Sequence, residues 1–189
     1  MILMKLLIIG CGGHGRCCLE IAEAMNQYDE IAFLDDGHIN EMIQGRKVIG
    51  KINDIDKYMQ DFDEVFIAIG NNHFRKELIK KVESQNYKLA TLIHPDSRTS
   101  KHSYIDKGTV IFPYACIESN ARIGKGCIIC SNTVINHDAT VQDDCLIYSN
   151  STIRAEAVIE EETRIGSNCC ISFRGHVLKQ SDIKDGEVV

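Results

Sequence analysis

The chain has 189 residues, enough for one large domain or two small ones with real cores. Apolar residues make up 44% and charged residues 25%, the composition of a soluble globular protein. The formal net charge of −6 argues against a general nucleic-acid partner or an anionic membrane surface, since both repel an acidic protein.

No apolar run reaches the roughly 18 residues of a membrane-spanning helix, so membrane insertion is not expected. Residues 1–9 are apolar but run straight into a glycine loop with no small-residue cleavage site. They read as a buried strand rather than a signal peptide, and the expected location is the cytoplasm. The nine cysteines include the neighbours Cys17–Cys18 and Cys169–Cys170 and one CxxC spacing, Cys127 to Cys130. An odd count without a secretory signal suits a reducing cytoplasm. Neither disulfides nor a metal site is expected, because structural zinc needs four converging ligands.

The first 92 residues alternate strands and helices. Residues 4–9 predict a strand, 10–15 a loop of sequence Gly-Cys-Gly-Gly-His-Gly, and 16–26 a helix with Cys17, Leu19, Ile21, Ala22 and Met25 on its buried face. A second strand, 31–34, ends in Asp35 and Asp36. A short helix is predicted over 53–60, and a third strand over 65–69, ending in Gly70, Asn71 and Asn72. Residues 73–85 read as an amphipathic helix and 89–92 as a fourth strand. Strands buried on both faces and separated by helices indicate a small Rossmann-like parallel α/β sheet. Residues 93–104 are polar, carry one of two prolines, and read as a linker.

From residue 105 to the end the pattern changes. Every sixth residue from Ile105 to Ile183 is Ile or Val, fourteen positions without exception. Four residues further on in each unit stands a small residue, from Thr109 to Ser181, with Glu187 alone breaking the rule. Neither a helix nor a flat strand has a period of six. The period describes a triangular prism of 18-residue coils, with the aliphatic residue inside and the small one at the tight corner. Stacked at about 4.8 Å, the nearly five coils of 105–189 form a prism on the order of 22 Å tall.

Two loops and one turn carry the chemistry. Gly12, Gly13 and His14 lie between a strand and a helix, where glycines let a ligand approach the backbone and helix N–H groups face an anion. Asp35 and Asp36 follow about twenty residues later, placed to accept hydrogen bonds from a ribose or base. Gly70, Asn71 and Asn72 end a strand on the same side of the sheet and form a second wall. In the repeats, Asn136-His137-Asp138 is the sharpest departure toward polarity. Histidine titrates near neutrality and can take a proton from an attacking nucleophile. Because strand neighbours face opposite ways, Asp138 can support His137 only where the backbone bends; Asp143 or Asp144 is the fallback. His102 and His176 sit at other repeat phases, which argues against a three-histidine metal site.

Taken together, the GxGGHG loop, the Asp-Asp strand end, Ile-Gly-Asn-Asn, Ile-His-Pro at residues 93–95 and hexapeptides with Asn-His-Asp resemble the sialic-acid O-acetyltransferase-like family, across essentially the whole chain. That family has a left-handed parallel β-helix, an exception to the right-handed crossover rule, and includes the N-acetyltransferases of nucleotide-linked amino sugars. The resemblance implies acetyl-CoA as co-substrate, no metal, and a homotrimer with the CoA groove between prisms. It implies a UDP-amino sugar held by Gly12, Gly13, His14, Asp35, Asp36, Gly70, Asn71 and Asn72. His137 is then the base and Asp138 its partner, and acetyl-CoA meets Leu146, Ala155 and Ser167. Acetylation of a hydroxyl, as in sialic acid, is the alternative chemistry, and a sugar-nucleotide-binding protein with impaired catalysis a second alternative. Two departures bear on the latter: Ser149-Asn150-Ser151 and Arg154-Ala155-Glu156 replace the family's Pro-Gly-Ala and nearby Gly, and the Gly-x-Pro-Ala-Lys segment that follows in relatives is not in this sequence.

Overall fold

The computed structural model describes residues 4–58 and 60–189. The first three residues of the expected N-terminal strand, and Met59 within the helix expected over 53–60, lie outside the described residues. The chain forms two compact units, Met1–Leu92 and Ile93–Val189.

In the first unit, β1 (Lys5–Ile9) runs into α1 (Gly13–Ala24), followed by β2 (Glu30–Leu34), β3 (Met42–Ile43) and β4 (Arg46–Gly50). A turn of 3-10 helix at Ile52–Asp54 continues into α2 (Ile55–Tyr58), then β5 (Glu64–Ile67) and α3 (Asn72–Ser84). The sheet order is β3-β4-β2-β1-β5, with every pair parallel except β3 with β4. The central β1 is an apolar run because it is covered on both faces: Leu6, Leu7, Ile8 and Ile9 are all fully buried. One side packs Leu7, Ile9, Leu34 and Ile67 against Leu78, Ile79 and Val82 of α3.

Two features differ from the sequence expectation. β3 and β4 form a hairpin that alternation had not suggested, closed by Gln44 and Gly45 with φ of 47° and 78°. Two positive-φ residues are what a tight two-residue hairpin turn requires. The expected fourth strand is reduced to one bridge, Leu89 to Val65, because the strand Leu92–Ile93 already belongs to a sheet of the next unit.

The second unit is a left-handed parallel β-helix. Its strands are two residues each and form three parallel sheets, which we call the first, second and third faces. Pairing always joins residues 18 apart, as in Val134 with Thr152 and Ile135 with Ile153 on the first face. The aliphatic column from Ile111 to Val177 is at most 3% exposed, and Ile105 and Ile183 close its two ends partly buried. Each such side chain contributes about 1.5–3 kcal/mol on burial.

The linker expectation is corrected here. Residues 93–104 are the first coil: Arg98–Thr99 pairs with Cys116–Ile117, and Tyr104–Ile105 with Arg122–Ile123. Thr99 at an inward position had broken the Ile/Val rule, although Ser97 and Ser103 keep the small-residue rule.

The corners have a regularity that the sequence reading missed. Every sixth residue from Gly108 to Gly186, fourteen in all, has a left-handed backbone with φ between 57° and 78°. Nine of these are Gly, Asn or Asp, the types that tolerate this region, and that enrichment was the available signal. The small residue follows directly and points inward. From Thr109 to Cys169, where it carries a hydroxyl or thiol, it donates to the carbonyl fifteen residues on: Thr109 to Gly124, Ser151 to Gly166, Cys127 to Gln142, Cys145 to Glu160 and Cys169 to Lys184. Three of the nine cysteines therefore act as thiol equivalents of serine, and none of the nine is in a disulfide.

Candidate active site

His137 and Asp138 occupy the corner between the first and second faces, after Val134–Ile135 and before Thr140–Val141. Asp138 has φ of 61°. This is the bend that a supporting carboxylate needs, since it swings Asp138 to the same side as His137. The His137 Nδ1 and Asp138 Oδ2 atoms are 2.7 Å apart. A carboxylate can only accept, so Nδ1 carries the proton and the lone pair of neutral imidazole sits on Nε2. The hydrogen bond to Asp138 is the main influence raising the His137 pKa above its ordinary value, aided by the charges of Glu118 and Glu156. Asp138 is correspondingly lowered, by His137 first and then by the Asn120 amide.

The fallback carboxylates are engaged elsewhere. Asp143 lies on the next corner and accepts the Lys125 backbone N–H at 2.8 Å, and Asp144 is buried. His137 borders a hollow of about 570 Å³ on the first face, lined also by Arg98, Ser100, Cys116, Glu118 and Ser119. Asp138 borders another on the second face, with His102, Tyr104, Asn120, Arg122 and Thr140. The dyad thus stands on an exposed edge with open space to either side.

The residues implied for acetyl-CoA are not brought together within one chain. Ala155 is half-exposed and stacks one coil beyond His137, in line with Ser119 and Phe173. Ser167 is half-exposed but belongs to the corner between the third and first faces, at the opposite edge of the first face. Leu146 is on the third face and only 6% exposed.

In the first unit, the glycines separate into two kinds. A Cβ on Gly15 would fall 2.1 Å from the Gly10 carbonyl oxygen, and one on Gly10, where φ is 97°, 2.9 Å from that of Ala68. These two are glycine because backbones touch there. A Cβ on Gly12, Gly13 or Gly70 would meet nothing within 4 Å. Packing does not require glycine at those three, which lie at the carboxyl ends of β1 and β5, where an open α/β sheet offers its ligand crevice.

Asp35 closes this loop: its Oδ2 accepts the Cys11 N–H at 2.9 Å and its Oδ1 the Gly37 N–H at 2.8 Å. Asp36 accepts the Ile52 N–H at 3.0 Å, tying β2 to the 3-10 turn. Asn71 caps α3 by accepting from Phe74 N–H at 2.9 Å. Asn72 accepts from Arg75 Nη2 at 2.9 Å, and Arg75 Nη1 donates to the carbonyls of Ile69 and Gly70. Arg75 is fully buried and clamps this wall in place, a role the sequence analysis did not single out. Burial and the Arg75 charge pull the His14 pKa down to about 4, so His14 is neutral at pH 7. The ligand atoms of Cys11, Asp35 and His38 lie within 4.8 Å of one another. Burial and Asp35 push the Cys11 thiol up to about 12, so it stays protonated and hydrogen-bonds Asp35.

Comparison with known proteins agrees with both units. Residues 5–82 match the PglD N-terminal domain family, and residues 102–137 the bacterial transferase hexapeptide family with six repeats. A UDP-N-acetylbacillosamine N-acetyltransferase from Bacillus subtilis (strain 168) is 33% identical over 108 residues, 55% of this chain. The match spans 49% of that relative, about half of its length. The acetyltransferase domain of PglB from Neisseria gonorrhoeae FA1090 superposes with a TM-score of 0.94 at 29% identity, covering 98% of this chain and 90% of that one. Its complex with acetyl coenzyme A is 30% identical, with a TM-score of 0.63 over 99% and 96% of the two chains. A perosamine N-acetyltransferase from Caulobacter crescentus, solved with CoA and GDP-perosamine, shares the fold at 21% identity and a TM-score of 0.71, over 97% of this chain and 92% of that one. The chain belongs to the sialic-acid O-acetyltransferase-like family of hexapeptide-repeat sugar acetyltransferases.

Proposed function

We propose that this protein transfers the acetyl group of acetyl-CoA to the amine of a UDP-linked amino sugar in bacterial glycan biosynthesis. The observation that carries the reading is the His137–Asp138 dyad, its protonated Nδ1 bonded to Asp138 and its basic Nε2 available on an open corner of the β-helix. The amine nitrogen attacks the thioester carbonyl carbon as His137 Nε2 takes the amine proton. The C–S bond then breaks, the acetyl group stays on nitrogen as an amide, and the proton passes to the departing CoA thiolate. Asp138 holds the ring tautomer and stabilises the imidazolium that forms in between.

The open loop of Gly12, Gly13 and His14, with Asp35, Asp36, Gly70, Asn71 and Asn72 around it, is the nucleotide-sugar site in this reading. A neutral His14 suits hydrogen bonding to an uncharged sugar or base. Ala155 and Ser167 contact acetyl-CoA from opposite edges of the first face, and therefore in different subunit pairs of a cytoplasmic homotrimer. Leu146 supports that region from the third face. Half-buried Cys116, Val134, Thr152 and Cys170 line the first face and suit a subunit contact.

The test is CoA thiol release with a panel of UDP-amino sugars. His137→Ala is expected to lower kcat by about 10²–10⁴-fold; full activity in that variant ends the mechanism. Light scattering at micromolar concentration is expected to give three chains per particle, and a monomer would remove the shared groove.

A further inference from the structure

The coil before the dyad reaches its turn at two points. Glu118 Oε2 accepts the backbone N–H of His137 at 2.9 Å. Asn120 Nδ2 donates to Asp138 Oδ1 at 3.2 Å, on the carboxylate oxygen that His137 does not use. Stacking at 18 residues brings both into place, since Cys116 and Ile117 pair with Val134 and Ile135 just before the two corners.

We propose that Glu118 and Asn120 are positioning residues that act through His137 and Asp138, fixing the ring and its carboxylate in the geometry that proton transfer needs. The catalytic meaning of this cradle rests on the acetyl-transfer reading above. The physical need is plain. Both dyad side chains are about half exposed, so water competes for every hydrogen bond they make. A carboxylate held at one oxygen only can rotate away from the ring. Asn120 holds the second oxygen, and Glu118 fixes the peptide from which the ring extends.

The first of these contacts recurs at another corner, and the second recurs there with amide and carboxylate exchanged between the coils, which separates architecture from function. There Glu160 accepts the Lys179 N–H at 2.9 Å, and Gln180 donates to Glu162 at 3.1 Å. That turn carries Lys179 and Gln180 and no dyad. A carboxylate reaching the next coil's turn is thus not peculiar to the dyad, and at residues 137 and 138 it supports a titrating pair. The charged groups around the His137 ring are Asp138 on its own turn, Glu118 on the preceding coil and Glu156 on the following one. Arg174 pairs with Glu156 at 2.7 Å, and Arg98 lines the same hollow as the ring.

The experiment is an NMR titration of the His137 ring without substrate, in wild type, Glu118→Gln, Asn120→Gly and Glu160→Gln. Glu118→Gln keeps an acceptor for the N–H and removes the charge. Asn120→Gly removes the amide, and glycine fits the left-handed backbone at φ of 59°. The titration midpoint is expected to fall in both, and to stay in place in Glu160→Gln. In turnover, Asn120→Gly is expected to lower kcat about tenfold with both KM values held within about twofold. The acid limb of kcat is expected to move to lower pH in Glu118→Gln. An unmoved midpoint in both cradle variants overturns the proposal, as does an equal loss of turnover in Glu160→Gln. If the wild-type protein acetylates no nucleotide amino sugar, the acetyl-transfer reading fails, and the titration still decides the cradle.

Discussion

The two units of this chain reach a buried core by opposite means. In the first, strands of two to five residues are each unique, and α1 and α3 fit them through specific contacts such as Gly15 against the Gly10 carbonyl. In the second, strands of two residues would hold nothing alone, and they persist because identical pairings repeat every 18 residues. The repeated design fixes the inside at two positions in six and leaves the outside free. Chemistry there appears as a local break in outward composition. In the first unit the candidate ligand residues are distributed over strand ends, and each glycine must be read separately.

This contrast can be tested by substitution, beginning with the repeat. Ile147 is fully buried in mid-column. Ile147→Ala should destabilise the second unit by about 2–5 kcal/mol, because stacked neighbours above and below cannot collapse into the cavity. A loss under about 1 kcal/mol in denaturant unfolding would mean that the column is less tightly packed than its register implies.

The first unit predicts a split between two neighbouring glycines. Gly15→Ala forces backbones apart and should cost on the order of 1–3 kcal/mol. Gly13→Ala enters open space at the first helical position, where alanine is favoured by up to about 1 kcal/mol over glycine. Its effect should appear as weaker UDP binding by calorimetry, with an unchanged or raised melting temperature. Equal melting temperatures for the two variants would erase the distinction between packing glycines and ligand-facing ones.

The smallest expected effect is a gain. Tyr114 is 65% exposed with φ of 64°. Tyr114→Asn should stabilise by about 0.5–1 kcal/mol by relieving a left-handed position held by an aromatic residue.

The β-helix was legible in the sequence because its period is strict and its inward residues are all Ile or Val. Its first coil was not, because Thr99 interrupts that column and proline at 95 imitates a linker. The hairpin of β3 and β4 escaped notice because Gln44 carries a positive φ where asparagine or aspartate would have signalled a turn. His137 stood out by chemistry alone. Its carboxylate partner depended on a backbone bend that alternation forbids, and only the left-handed φ at Asp138 resolves which acid it is. Arg75 was hidden because a cation within an amphipathic helix ordinarily faces water; here carbonyls at a strand end replace that water. The cradle residues were invisible for another reason, since Glu118 and Asn120 meet their partners 19 and 18 residues away, across the stacked coils.

The corner thiols give the β-helix a built-in reporter of its own opening. Cys127, Cys145 and Cys169 are at most 2% exposed, and each Sγ is bonded to the adjacent coil. Cys17, in contrast, is exposed on α1. An alkylating reagent reads Cys17 immediately and the corner thiols only when a coil lifts from its neighbour. Since Cys127 and Cys145 mark successive coils and Cys169 one nearer the C-terminal end, the order of their modification is a map of where the stack comes apart.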